Sequence, residues 1–142
     1  LTGRPLSALH REHRESERPI ESVQAGLDYD REELYARIDA RVDRMIDLGL
    51  VDEVRRLIDQ GYAAEIERLR SLGYREIAAY LRGETSLEEA VELMKRNTRR
   101  YAKRQLTWFR GDSRIVWLKA GGGKSAEALA GEMLALLKKP RE

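Results

Sequence analysis

Between Lys95 and Arg110 the chain carries seven cationic side chains (Lys95, Arg96, Arg99, Arg100, Lys103, Arg104 and Arg110), three aromatics (Tyr101, Trp108 and Phe109) and no carboxylate. Wound at about 100° per residue, the segment gathers those cations on one half of a helix. Met94, Thr98, Tyr101, Ala102, Gln105, Trp108 and Phe109 take the other half, with Leu93 and Leu106 near the boundary. The partition predicts one face that packs, with Tyr101 and Trp108 inward, and one face of uncompensated positive charge that a polyanion would neutralise. Basic helical faces are commonly just solvated, but solvated faces mix signs, as Asp30-Arg-Glu-Glu33 and Asp52-Glu-Val-Arg-Arg56 do here. The local omission of acids favours nucleic-acid contact over a solvated face or a protein interface, with Arg99, Arg100, Lys103, Arg104 and Arg110 as phosphate contacts.

A second constellation is Leu69-Arg70-Ser71-Leu72-Gly73-Tyr74-Arg75-Glu76. Gly73 permits a sharp turn or close backbone approach, Tyr74 offers a stacking surface, and Arg70 and Arg75 offer phosphate contacts, a combination that suits unpaired RNA bases. Equally, Tyr74 is a core residue beside a helix start. Arg37, Arg41 and Arg44 fall at i, i+4 and i+7 on one helical stripe, where guanidiniums could grip a diphosphate. Neutralisation by Asp39, Asp43 and Asp47 from neighbouring turns is the slightly favoured alternative.

Other candidates are weaker. Gly121-Gly-Gly-Lys-Ser125 has the residue types of a nucleotide phosphate loop but not the spacing, because Leu118 stands where such a loop needs its first glycine. It reads as a flexible loop entering a helix capped by Ser125. His10 and His13, with Glu12 and Glu15, lack the further ordered ligands that a metal site needs, so no metal ligands are assigned. The remaining carboxylates mostly alternate with arginines at helix-pair spacing and read as surface ion pairs. No complete active site is present.

These residues must be positioned by a largely helical scaffold. Ser7 caps a short helix to about Glu15, and a polar connection runs to Pro19. Ile20 to Leu27 has weak strand character. Asp30 is an N-cap for an amphipathic helix with Leu34, Ile38, Val42, Met45, Ile46 and Leu48 in its stripe. Gly49 stops it; Val51 to Asp59 forms the next helix, ended by Gly61. A polar link leads to Leu69, Glu76 to Leu81 is helical, and Ser86 starts the long basic helix, with Glu88 and Glu89 in its first turn. After Gly111-Asp112, Arg114 to Leu118 has strand propensity, and Ser125 to Lys139 is a last helix with Ala128, Leu129, Met133, Leu136 and Leu137 inward. Two short isolated strands are marginal in water, so the chain reads as lacking the sheet they belong to.

At 142 residues the chain suits one domain, and 37% charged with 6% aromatic residues leaves a modest core. The net charge is only +2, so anion binding rests on clustering rather than on total charge. The absence of cysteine removes disulfides, thiolate metal sites and cysteine nucleophiles. No apolar run approaches membrane-spanning length, and the start does not resemble a signal peptide.

The strings Leu1-Thr-Gly-Arg-Pro-Leu-Ser7, Arg31-Glu-Glu-Leu-Tyr-Ala-Arg-Ile-Asp-Ala-Arg-Val-Asp-Arg-Met45, Gly49-Leu-Val-Asp-Glu-Val54, Leu72-Gly-Tyr-Arg-Glu76 and Thr98-Arg-Arg-Tyr-Ala-Lys-Arg-Gln-Leu-Thr-Trp-Phe-Arg110 resemble, in order, the carboxy-terminal half of the tRNA dimethylallyltransferases. The resemblance spans most of Leu1 to Leu118. It implies transfer of a dimethylallyl group from dimethylallyl diphosphate, assisted by Mg2+, to N6 of the adenine immediately 3′ of the anticodon, flipped out of the tRNA anticodon stem-loop. It implies that Leu69, Arg70, Ser71, Leu72, Gly73, Tyr74, Arg75 and Glu76, and Lys103, Arg104, Gln105, Leu106, Thr107, Trp108, Phe109 and Arg110, meet tRNA. It also implies that Arg37 or Arg41 stabilises the leaving diphosphate.

The family's phosphate loop, with its nucleotide- or ATP-binding character, the adjoining threonine and the aspartate base are absent from this sequence. The resemblance therefore implies a mainly α chain whose two short strands complete the parallel sheet of a P-loop α/β core supplied by a missing amino-terminal half. By this expectation residues 1–29 form a connecting helix and strand, 30–111 the helices facing tRNA and diphosphate, and 112–142 a strand and terminal helix. Alone the chain is expected to be inactive; the whole enzyme is expected in the cytoplasm, off the membrane. The rivals are a helical RNA- or protein-binding module without chemistry and, less favoured, a structural domain whose basic face meets an acidic protein.

Overall fold

The computed structural model describes residues 5, 7, 8, 12, 22–69 and 71–137. In chain order these form β1 (Gln24–Asp28), α1 (Arg31–Asp47), α2 (Leu50–Asp59), α3 (Ala63–Leu69), α4 (Tyr74–Leu81), α5 (Leu87–Arg110), β2 (Ile115–Lys119) and α6 (Ala126–Leu137). Of the short helix expected from Ser7, residues Ser7, Ala8 and Glu12 are helical. His10, His13 and Arg70 lie outside the described residues.

The core is the meeting of α1 to α5. Val42, Leu50, Val54, Ile66, Ile77, Ala78 and Met94 form one buried cluster, with Met45, Ile46, Leu57, Tyr74 and Leu81 among those packed on its rim. Burying a side chain of this kind contributes about 1.5–3 kcal/mol, and Val54 and Ile77 are fully enclosed. The segment expected as a polar link before Leu69 is instead α3. Ile66 supplies the reason: it is the single large aliphatic between Tyr62 and Leu69, and it is buried in the core, so tertiary packing fixes a turn of helix that propensity alone leaves open.

Glycine ends the helices where expected. Gly49 and Gly61 have φ of 95° and 93°, the left-handed conformation that glycine adopts at little cost. Asp30 precedes α1 as expected, but its side chain makes no capping bond. Ser86 does cap α5, accepting the Glu89 amide at 3.2 Å while Glu89 returns a bond to the Ser86 amide at 2.9 Å.

The two strands expected to lack partners pair with each other, in parallel, from Gln24 opposite Ile115 to Asp28 opposite Lys119. Three stripe assignments are corrected by exposure. Leu48 is 80% exposed because it lies in the turn between α1 and α2, beyond the face that packs. In α6 only Leu129 is buried, while Ala128, Met133 and Leu137 face outward. In α5 the packing face holds only to its middle: Ala90 and Met94 are buried, but Tyr101 and Trp108 are 45% and 74% exposed. Ala102 and Leu106 stay half-buried, lining a groove with Leu34 and the strands, so the second half packs along a narrower stripe that leaves Tyr101 and Trp108 outside it.

Candidate nucleic-acid interface

The sequence places seven cations on α5, and the structure divides them. Lys95 lies 2.7 Å from Asp43 and 3.3 Å from Glu92; the Asp43 hydrogen bond first, with Glu92 acting in the same direction against burial, raises its pKa above the ordinary lysine value. Arg99 holds both oxygens of Asp39, at 2.6 and 2.7 Å. Arg110 reaches Asp28 at 3.0 Å and lies over the Trp117 ring. The expectation that the whole face is uncompensated therefore fails at Lys95, Arg99 and Arg110. At Lys95 and Arg99 it fails because Asp43 and Asp39 turn toward α5 instead of neutralising the arginines of their own helix, and at Arg110 because Asp28 at the end of β1 supplies the counter-charge.

Arg96, Arg100, Lys103 and Arg104 form no ion pair among the described residues, and all but Lys103 lie within one strip at i, i+4 and i+8. Arg104 stacks near Tyr101, 5.7 Å from its ring centre. These four are the positive charge that α5 leaves for an anionic partner.

Residues 103–110 do not share one surface, since a helix turns through about two revolutions over that length. Lys103, Leu106, Thr107 and Arg110 line a cleft of about 350 Å³ with Asp28, Tyr29, Asp30, Arg31, Leu34, Tyr35 and Lys119. Within it Asp28 takes Lys119 at 3.2 Å as well as Arg110. The Lys119 hydrogen bond is the first cause of the depressed Asp28 pKa, with Arg110 acting in the same direction against burial. Gln105, Leu106 and Phe109 line a more apolar groove of about 630 Å³ over the strands. Trp108 points away from both, edge-on to Phe109 with ring centres 4.8 Å apart.

The Leu69–Glu76 stretch also splits. Leu69, Ser71 and Arg75 are exposed and Leu72 is half-buried. Arg75 lies 3.5 Å from Glu67. Gly73, with φ 93°, starts α4 and donates its amide to Glu76 at 2.9 Å. Tyr74 packs against the core and its hydroxyl donates to Glu53, a bond that, with burial, raises its pKa. Glu76 is buried and accepts the Asn97 side-chain amide at 2.8 Å. Asn97 is the residue that sequence reasoning missed; its one signal is an asparagine, a poor helix former, in the middle of a long helix.

On α1, Arg37 sits 3.0 Å from Glu33 and 4.7 Å from the centre of the Tyr29 ring. Glu33 also accepts the Gly122 amide at 3.1 Å, and that bond first, then Arg37, lowers its pKa. Arg41 and Arg44 are exposed and form no ion pair among the described residues. The glycine loop thus closes on a carboxylate of its own chain: Lys124 pairs with Glu132 at 2.7 Å, and Ser125 accepts the Ala128 amide as the expected cap. Among the described residues no group of three or more His, Cys, Asp or Glu is gathered to hold a metal ion, and no helix is long and apolar enough to cross a membrane.

A family model described as IPP transferase matches residues 1–112. A tRNA dimethylallyltransferase of Geobacter metallireducens is 54% identical over 122 residues, covering 86% of this chain and 40% of that protein. Another, of Pelotomaculum thermopropionicum, is 49% identical over 133 residues, 94% of this chain and 42% of that one. The crystal structure of a Staphylococcus epidermidis tRNA delta(2)-isopentenylpyrophosphate transferase superposes with a TM-score of 0.79 at 34% identity, over 98% of this chain and 45% of that one. That of the full-length Bacillus halodurans tRNA isopentenylpyrophosphate transferase gives 0.77 at 37% identity, over 92% and 42%. The chain spans less than half the length of each of these relatives.

Proposed function

The chain belongs to the IPP transferase family, and from that membership we propose that it works as the tRNA-holding part of a tRNA dimethylallyltransferase. The reaction joins N6 of the adenine 3′ of the anticodon to the allylic carbon of dimethylallyl diphosphate. The carbon–oxygen bond to diphosphate breaks, and N6 gives up a proton to a base. Of the residues on this chain, Arg37 or Arg41 meets the negative charge that develops on the leaving diphosphate, where a fixed cation acts most strongly. Arg100, Lys103 and Arg104 grip tRNA phosphates, and Trp108 offers a stacking face.

Magnesium enters only through the family resemblance. We assign its ligands to the part of the enzyme beyond this chain, and no step above runs through a metal here. We place the reaction in the cytoplasm with its tRNA substrate, and assign a nucleotide-type phosphate loop to a part of the enzyme beyond this chain.

The observation that carries the reading is that the family match over residues 1–112 includes α5, the helix whose second half presents unpaired cations and exposed aromatics together. A full-length protein containing this chain, given radiolabelled dimethylallyl diphosphate, magnesium and unmodified tRNA, is expected to label the adenosine beside the anticodon. Label that never reaches N6 of an adenosine would overturn the enzymatic reading. Retained, strongly salt-dependent RNA binding in that case identifies an RNA-binding module without chemistry.

A further inference from the structure

Glu76 is the one buried charged side chain among the described residues, 7% exposed, and both its oxygens are engaged. Oε2 accepts the Gly73 amide at 2.9 Å, and Oε1 accepts the Asn97 side-chain amide at 2.8 Å. The first bond pins the turn that enters α4. The second ties that turn to the middle of α5, beside Arg96 and one turn before Arg100.

The turn lies directly on the helix. A Cβ at Gly73 would stand 2.8 Å from Met94 Cε, so the turn rests against the buried end of a core side chain of α5. Apolar contact of that kind sets a distance but not an orientation. A hydrogen bond to a buried carboxylate is directional, and leaving it unmade is costly. Glu76 therefore fixes both the turn geometry and the place along α5 where the turn sits.

We propose that Glu76 and Asn97 are positioning residues for tRNA: their hydrogen bond holds the 71–73 turn in register with Arg96 and Arg100, making one RNA-facing surface from two elements. This rests on the tRNA reading above. Asn97 acts through Glu76, and its half-buried amide is committed to that carboxylate. Helix propensity gives no reason for an asparagine there, since it weakens a helix interior relative to the leucines and lysines around it.

The test uses the full-length protein and a fluorescent anticodon stem-loop RNA. Asn97→Asp replaces the donor with a second acceptor facing Glu76. Combining Asn97→Asp with Glu76→Gln reverses the polarity and restores both bonds: the introduced amide donates to the introduced carboxylate, while its carbonyl still accepts Gly73 N–H. Asn97→Ala, a milder change, deletes the donor without repulsion. The single Asp variant is expected to weaken RNA binding and raise the KM for tRNA about tenfold, the Ala variant about threefold. The KM for dimethylallyl diphosphate stays put, and the double variant recovers tRNA affinity. Wild-type affinity in both single variants, a double variant as weak as Asn97→Asp, or equal shifts in both KM values overturns the proposal. Wild-type protein that ignores the RNA overturns the tRNA reading and this inference with it; wild-type binding with unaffected Asn97 variants overturns this inference alone.

Discussion

Arg99 of α5 grips Asp39 of α1 through one guanidinium nitrogen, 2.6 and 2.7 Å from the two carboxylate oxygens. One turn earlier Lys95 sits 2.7 Å from Asp43, so the antiparallel helices are joined by two rungs. A side chain that its neighbours in sequence mark as a phosphate contact is thereby part of the scaffold. Asp39→Ala and Arg99→Ala are each expected to destabilise the fold by about 1 kcal/mol, with a coupling of about 0.5 kcal/mol in the double variant, the range for partly exposed pairs. Urea unfolding of the four proteins measures this, and strict additivity would contradict the rung.

The same division predicts which cations RNA senses. Replacing Arg100, Lys103 or Arg104 by alanine should lower the slope of log affinity against log salt by about 0.7 to 0.9 each, the share of one phosphate contact. Arg99→Ala should leave the slope unchanged even though it lowers stability. Salt-titrated binding of an anticodon stem-loop separates the two outcomes.

Trp108 is 74% exposed, so its removal empties no core. Trp108→Ala is expected to change stability by less than about 0.5 kcal/mol while weakening RNA binding about tenfold, the loss of one base stack. A large drop in melting temperature would instead assign this ring to packing.

Two glycines with the same φ of 93° are expected to respond differently. A Cβ at Gly61 meets nothing within 4 Å, so Gly61→Ala carries only left-handed strain, about 1 kcal/mol. At Gly73 ψ is −48°, outside the left-handed well, and the Cβ would also meet the terminal methyl of Met94, so Gly73→Ala should exceed that figure. Equal losses in denaturant unfolding would show that Met94 moves aside freely.

The Glu89 carboxylate is held below its ordinary value by the Ser86 amide first, then by the Thr85 and Ser86 hydroxyls. A carboxylate depressed in the folded state contributes stability that is fully present above its unfolded value, 4.5, and lost as pH falls through the folded one. Glu89→Gln lacks this protonation step. Its stability should fall less steeply below pH 4.5 than that of the native protein, and parallel acid-unfolding curves would contradict the cap.

The helix periods, the glycine stops, the Ser86 cap and both strands were legible because each is a local signal: spacing, φ freedom or a side chain three residues from its target. The family was legible from residue order. What escaped depends on partners far along the chain. Nothing near Asp39 announces Arg99, sixty positions away. Ile66 alone does not reveal that a core waits for α3, and Tyr101 and Trp108 look like a packing stripe until the narrow strip of α5 that α1 and the strands meet is known. Resemblance marks Glu76 for RNA, yet its buried position and its bond to Asn97 join residues 21 positions apart.

The two rungs between α1 and α5 have a further property. Sliding α5 by four residues, about 6 Å, would bring Arg99 to Asp43 and Lys103 to Asp39, so the charges alone permit two alignments of the helices. The same slide would put Thr98 in the core position of Met94 and Tyr101 in the position of Asn97 opposite Glu76, losing both contacts. Opposite charge makes the two helices adhere; one thioether and one amide decide where along each other they stop.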